Sequence, residues 1–193
     1  PYQEWEASRY PEAGQTCQTC HMPVVEEDVP VTAVLGQPRS EVSRHVFRGG
    51  NFFMLRMLDR YRNELGVTAL PQEMQLSADR TEEHLRTSTA TLAIEDVTGD
   101  AEALVFDVVV ANRAGHKFPT AYPSRRAWLS VRVDDAAGRT VFESGAFRPD
   151  GSIAGNDNDE RPGLYEPHYA EIDDPGQVQI YDCLLYTSDA ADE

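Results

Sequence analysis

The pentapeptide Cys17-Gln18-Thr19-Cys20-His21 constrains this chain more than anything else in it. Two thiols at this spacing can each form a thioether with a haem vinyl group, and the adjacent histidine then reaches the iron as proximal ligand. A chain organised in this way need not bury a large side-chain core, because loops can wrap the macrocycle. Two other readings use the same cysteines. A CxxC pair also serves as a redox-active dithiol or as half of a zinc site. Zinc would need two more ligands at related spacing, and no second CxxC occurs. A thioredoxin-like dithiol opens a helix after a buried strand, whereas Tyr10 to Thr16, YPEAGQT, is polar and rich in turn formers.

The third cysteine, Cys183, opens the segment CLLYTSDAADE, which resembles a translated sequencing-library adapter. Its apolar start runs without a turn into an acidic end, so residues 183–193 are expected to be an artefact tail outside the fold. That leaves two cysteines, both inside the motif. Since the chain begins with Pro1, it reads as an internal piece of a longer protein. A length of 193 residues accommodates one ordinary domain or two small ones. No apolar run approaches the roughly 18 residues that a membrane span requires. The formal charge of −16 argues against nucleic acid and against anionic membrane surfaces, both of which reward basic patches. It fits simple solubility as well as an acidic docking face.

Along the chain the character changes near Thr87. Residues 1–88 read as helices and loops that would form the haem-binding region. Asn51 is placed to cap a helix whose apolar positions Phe52, Leu55, Leu58, Tyr61 and Leu65 fall at steps near three and four, with Gly66 beyond its end. Pro71 suits the first turn of a second, more polar helix reaching about Arg86. Residues 89–182 read as β-rich: Thr89 to Asp96 alternates, Gly99-Asp100 turns, and Leu104 to Val110 is expected to be buried on both faces. Trp128 to Val133 alternates again, with a turn at 136–138 and a short strand at 140–143. The expected fold class is therefore α+β, a small helical and loop segment followed by an antiparallel β-sandwich-like domain that is truncated. Residues 146–182 show no clear period.

Three longer stretches carry a family resemblance. TCQTCHMP at 16–23, HVFRGGN at 45–51 and NRAGHKFPTAYPSRRAWLSV at 112–131 resemble the C-terminal part of bacterial multihaem cytochromes c, as does YEPHYAEIDDPGQVQIY at 165–181. In that family a last CxxCHMP haem precedes a β-rich domain opened by a GHKFPTG-like loop. The resemblance implies one haem c here, further haems in the parent protein, and redox proteins and neighbouring haems as partners. One departure is Ala121, which stands where the family has glycine. Alanine resists positive φ, so a left-handed turn is not expected there.

With His21 on one side of the iron, the sixth ligand decides between an electron carrier and an open, catalytic site. His45 lies in a glycine-bearing loop between Arg44 and Arg48, which suit haem propionates, and it is the favoured distal ligand. His116 and His168 are weaker candidates. His84, within TEEHLR, reads as a solvated residue, and Met54, Met57 and Met74 read as core. Arg125 and Arg126 beside Trp128 suggest an inter-strand ion pair more than a carboxylate clamp. The expected function is electron transfer in an exported, periplasmic or extracellular cytochrome, with no nucleic acid partner and no membrane span in this piece. The alternative is a catalytic multihaem oxidoreductase acting on a small nitrogen or sulfur compound. A third reading, an interaction module with an accidental CxxCH, predicts no haem absorbance.

Overall fold

A computed structural model describes residues 1–100, 102–122, 125–161, 163–164 and 167–182. The expected tail at 183–193 lies outside the described residues, as do Pro123, Ser124, Tyr165 and Glu166 of the family-like segments. Two compact units divide the chain, Pro1–Lys117 and Phe118–Glu193. Both helices and antiparallel strands are present, so the fold is α+β. Among the described residues the strands form two-stranded sheets, and none closes into a barrel. No helix there is long and apolar enough to cross a membrane.

The first unit opens with two short helices, α1 (Tyr2–Glu6) and α2 (Cys17–His21), and a short ladder of β1 (Val29–Pro30) with β2 (Pro38–Arg39). Helix α3 (Phe52–Arg60) starts at the expected place but stops short of the expected Tyr61 and Leu65, and it is not capped by the expected side chain. Asn51 makes no side-chain cap bond, and its Oδ1 is buried without a hydrogen-bond partner. Beyond Arg60 the chain continues in turns. The Val67 N–H donates to the Arg62 carbonyl at 2.9 Å across Gly66, whose φ of +64° is a left-handed turn that glycine permits. Helix α4 (Pro71–Ser88) starts on Pro71, where the missing N–H costs nothing, and Glu73 Oε2 accepts from the Leu70 N–H at 3.2 Å. Its buried face is Met74, Ala78 and Thr81, spaced by four and three. These are the only buried residues described in the first unit.

A hairpin completes this unit: β3 (Ala90–Gly99) pairs with β4 (Leu104–Asn112) from Ala90↔Asn112 to Gly99↔Leu104, with a register shift between Glu95 and Thr98. Asp100 Oδ1 holds the turn by accepting from the N–H groups of Glu102 and Ala103 at 2.8 and 3.0 Å. The expectation that Leu104 to Val110 is buried on both faces does not hold, because Leu104, Val105, Val109 and Val110 are all exposed. The strand has one neighbour rather than two, and a lone hairpin cannot enclose both of its faces.

In the second unit the single strand expected at 128–133 is two. Strand β5 (Arg126–Trp128) pairs with β8 (Ile180–Asp182), whereas β6 (Val131–Asp134) pairs with β7 (Thr140–Ser144). The chain changes partner at Leu129, whose N–H donates to the Gln179 carbonyl at 3.0 Å. There the backbone of Gly145, at φ +71°, comes so close that a Cβ would lie 2.3 Å from the Leu129 oxygen. Ile153, Val178 and Ile180 form the buried cluster, with Trp128 packed on it and donating its indole N–H to the Gly145 carbonyl at 3.0 Å. A short helix, α5 (Asp157–Glu160), is capped by Asn156 Oδ1, which accepts from the Asn158 and Asp159 N–H groups at 2.9 and 3.3 Å. Arg126 pairs with Asp159 of α5 at 2.8 Å, so its partner is a helical carboxylate and not a neighbouring strand. Ala121 adopts φ +73°, so the left-handed turn that alanine was expected to resist is present.

Candidate functional site

Helix α2 begins after Thr16, whose N–H donates to Thr19 Oγ1 at 3.2 Å. The side chains of Cys17 and Cys20 are exposed and unpaired, one turn apart on the same short helix. His21 ends the helix and is half-buried. It is positioned by the segment 42–48, which runs antiparallel to 21–25. The Val25 N–H bonds the Val42 carbonyl, the Arg44 N–H bonds Pro23, and the Arg48 N–H bonds His21, at 2.9, 2.9 and 3.0 Å. The His21 Nδ1–H donates back to the Arg48 carbonyl. A ring held this way has its proton on Nδ1 and its lone pair on Nε2, the arrangement by which a protein orients a metal-binding imidazole.

Two other imidazoles face His21. The ring of His84 lies 6.1 Å from it at an interplanar angle of 56°, and the ring of His116 lies 6.1 Å from it at 5°. A metal–imidazole nitrogen bond is about 2 Å, so two imidazoles on opposite sides of one ion have ring centroids about 6 Å apart. Both pairs stand at that separation. His84 is not the solvated residue the Glu-rich sequence suggested. It sits three positions after Thr81, continuing the buried face of α4, and is half-buried. Burial, then the nearby His21 and Arg48 charges, lower its pKa below the ordinary 6.5.

His116 is carried by a loop fastened at several points. Asn112 Nδ2 donates to the His116 carbonyl at 2.8 Å, and Asn112 Oδ1 accepts from the Ala114 N–H at 2.9 Å. The Tyr10 hydroxyl donates to the Arg113 carbonyl, and the Lys117 N–H donates to Glu4 Oε2 at 2.9 Å. Gly115 lies so close to the N-terminal segment that a Cβ would meet Trp5 Cδ1 at 3.1 Å and Tyr10 Cδ2 at 3.5 Å. The Trp5 indole in turn donates to the Gln15 carbonyl at 3.0 Å, just before α2. A continuous set of contacts thus links the cysteine helix to the His116 loop. The His116 Nδ1–H donates to the Lys117 carbonyl at 2.8 Å, which again leaves Nε2 with the lone pair.

Arg48, whose carbonyl accepts from His21, also lines an open cleft of about 360 Å³ with Pro23–Glu27, Arg44 and Arg80 of α4; Cys17, Cys20, His21, His84 and His116 are not among its lining residues. Arg80 and His84 are one helical turn apart on α4. The Nε of Arg48 is buried and has no hydrogen-bond partner.

The remaining sequence candidates stand elsewhere. His45 is exposed, and its ring packs edge-on against Phe47 at 4.6 Å; it is not among the imidazoles whose rings face His21. His168, in the second unit, is exposed, and its Nδ1 accepts from Gln179 Nε2 at 2.9 Å. The Gln179 amide is oriented by its oxygen, which accepts from the Tyr169 N–H at 3.0 Å, so the His168 proton resides on Nε2.

No family model, curated protein or solved structure matches the chain. The chemistry of the site therefore rests on its donor set. Among the described residues no group of three His, Cys, Asp or Glu side chains is arranged to hold a metal ion. A haem iron asks for less, because the porphyrin supplies four ligands and the protein two. Two unpaired thiols on one helix turn, a proximal imidazole oriented through Nδ1, and further imidazoles about 6 Å away fit that requirement.

Proposed function

We propose that this chain carries one c-type haem, bound through thioethers to Cys17 and Cys20 and ligated by His21, and that it transfers electrons as part of an exported multihaem cytochrome. The observation that carries the reading is His21 itself: its Nδ1–H is committed to the Arg48 carbonyl, and a second imidazole stands at the separation one metal spans. The bound group would supply a reversible one-electron couple. The residues of this chain would hold it, exclude other ligands and set its surroundings. Arg44, Arg48 and Arg80 line that cleft and suit the carboxylates of a haem edge, and the unpartnered Nε of Arg48 is a donor available for one of them.

The packing of the first unit supports the same reading. With Met74, Ala78 and Thr81 its only described buried residues, and Phe47, Phe53, Leu65 and Leu70 each more than half exposed, it lacks a core of its own. Binding a large apolar group would remove part of that surface from water. Redox proteins and neighbouring haems are the partners that fit, in the periplasmic or extracellular location where such haems are attached. The second unit is read as a docking or scaffold module. The test is maturation in a periplasm supplied with a haem-attachment system. Colour should survive acid–acetone extraction and disappear in the Cys17→Ala/Cys20→Ala double variant. Complete extraction of the colour would refute the reading.

A further inference from the structure

We propose that His116 is the sixth ligand of the haem iron, opposite His21, and that His84 and His45 are not ligands. This assignment rests on the haem reading above and names the group that closes its site. Both His84 and His116 have ring centroids 6.1 Å from His21, so distance alone does not separate them. Three observations favour His116.

The first is the state of the ring. A ligating imidazole binds through a nitrogen lone pair while its other nitrogen carries the proton and donates it. His116 has this arrangement, with Nδ1–H on the Lys117 carbonyl at 2.8 Å, and so does His21, with Nδ1–H on the Arg48 carbonyl. The two rings are set alike, each offering Nε2. The second is the mutual orientation. The His21 and His116 planes differ by 5°, whereas those of His21 and His84 differ by 56°. The third is the mounting. A ligand loop has to hold its imidazole in place through both oxidation states, and the segment 112–117 is tied to Glu4, Trp5 and Tyr10, which in turn join the start of α2 through Gln15. Gly115 suits that mounting, since a methyl group there would press on Trp5 at 3.1 Å. His45, exposed and packed on Phe47, has no such support.

A haem held between these two rings would be six-coordinate and closed, with imidazole planes nearly parallel, as the 5° between the rings implies. Ferric haems with parallel imidazole planes give a rhombic low-spin electron paramagnetic resonance spectrum. Planes rotated far from one another give a strongly anisotropic signal with one very large g value.

The test uses the full chain matured in a periplasm, with His116→Ala, His84→Ala, His45→Ala and His116→Met compared by optical and paramagnetic resonance spectra. A haem-stained denaturing gel separates the two levels of the argument. If no variant and no parent chain carries covalent haem, the haem reading fails and this assignment fails with it. If haem is attached, the parent should be low-spin and rhombic, and the ferrous form should resist carbon monoxide. His116→Ala should become high-spin and bind carbon monoxide at least tenfold more tightly, and added imidazole should restore the low-spin spectrum. His116→Met should remain low-spin with a raised potential, which a purely structural role for His116 does not predict. His84→Ala and His45→Ala should keep the parent spectrum. A low-spin spectrum retained in His116→Ala, or a site opened by His84→Ala or His45→Ala, would overturn the assignment.

Discussion

On the proposed ligation by His116, replacing Gly115 by alanine should loosen the distal side of the haem without touching either proposed ligand. A Cβ at this position would sit 3.1 Å from Trp5 Cδ1, and at 3.5 and 3.6 Å from Tyr10 ring atoms. Carbon atoms pack best at about 3.5–4 Å, so the Trp5 contact demands a displacement of roughly half an ångström while the Tyr10 contacts are tolerable. Overpacking of this kind costs about 1–3 kcal/mol. Trp5 is only half-buried and can yield, which favours the lower half of that range, about 1–1.5 kcal/mol. Because His116 is the next residue, a loop forced away from Trp5 gives up part of that energy at the iron. At about 1.4 kcal/mol per tenfold, the whole of that energy corresponds to roughly five- to tenfold, so the part that reaches the iron should make carbon monoxide bind ferrous Gly115→Ala more tightly than the parent by up to about that factor. The assay is a carbon monoxide titration followed by the optical spectrum, with a haem-stained gel to verify that attachment is unchanged. Parent-like affinity together with a parent-like melting temperature would show that the loop is not held by this contact, and the reasoning from packing to ligation would be refuted.

Other expectations concern stability. Ala121 pays about 1–2 kcal/mol for its left-handed backbone, and glycine would return all of it except about 0.4–1 kcal/mol of unfolded-chain freedom, so Ala121→Gly should stabilise the second unit by about 0.5–1 kcal/mol in urea unfolding; a loss of stability would contradict the positive φ. Ile153→Ala should cost about 2–5 kcal/mol, and with only Val178 and Ile180 left in the buried cluster it should abolish the cooperative transition reported by Trp128 fluorescence; a sharp transition of unchanged midpoint would show that the cluster is not the core. Asp135 is held below its ordinary carboxyl pKa of 3.8 by the Arg139 backbone N–H, then the Arg139 side chain, and also by the Ala137 N–H. Its contribution is therefore present above about pH 3.8 and lost as pH falls through the lower folded value, so Asp135→Asn should flatten that part of the acid-stability profile, and an unchanged profile would remove the turn as its source.

The candidate site was legible as a cluster because it is local: two thiols and an imidazole lie within five residues, and the structure places them on one short helix. The elements α4 and the β3–β4 hairpin were legible for a similar reason, since Pro71 and the alternation from Thr89 are local signals. What escaped depends on contacts distant in sequence. His84 lies among Glu82 and Glu83 in a stretch that reads as solvated, yet its place on the Met74–Ala78–Thr81 face turns it toward His21. His116 gains its position from Glu4, Trp5 and Tyr10, about a hundred residues away, through a glycine whose role is to let backbone approach an indole. The change of partner at Leu129 follows from the pairing of three-residue β8 with β5, and a strand of that length has no readable period. Asn51 shows the reverse failure, a residue of capping type at a capping position whose side chain makes no cap bond.

The central claim is covalent haem on Cys17 and Cys20. Intact-mass spectrometry under denaturing conditions, on the full chain matured in a periplasm with a haem-attachment system, tests it most directly. One added haem mass per chain is expected, reduced to none in the Cys17→Ala/Cys20→Ala variant. A parent chain recovered at its unmodified mass, from cells that load a control cytochrome c fully, would contradict it.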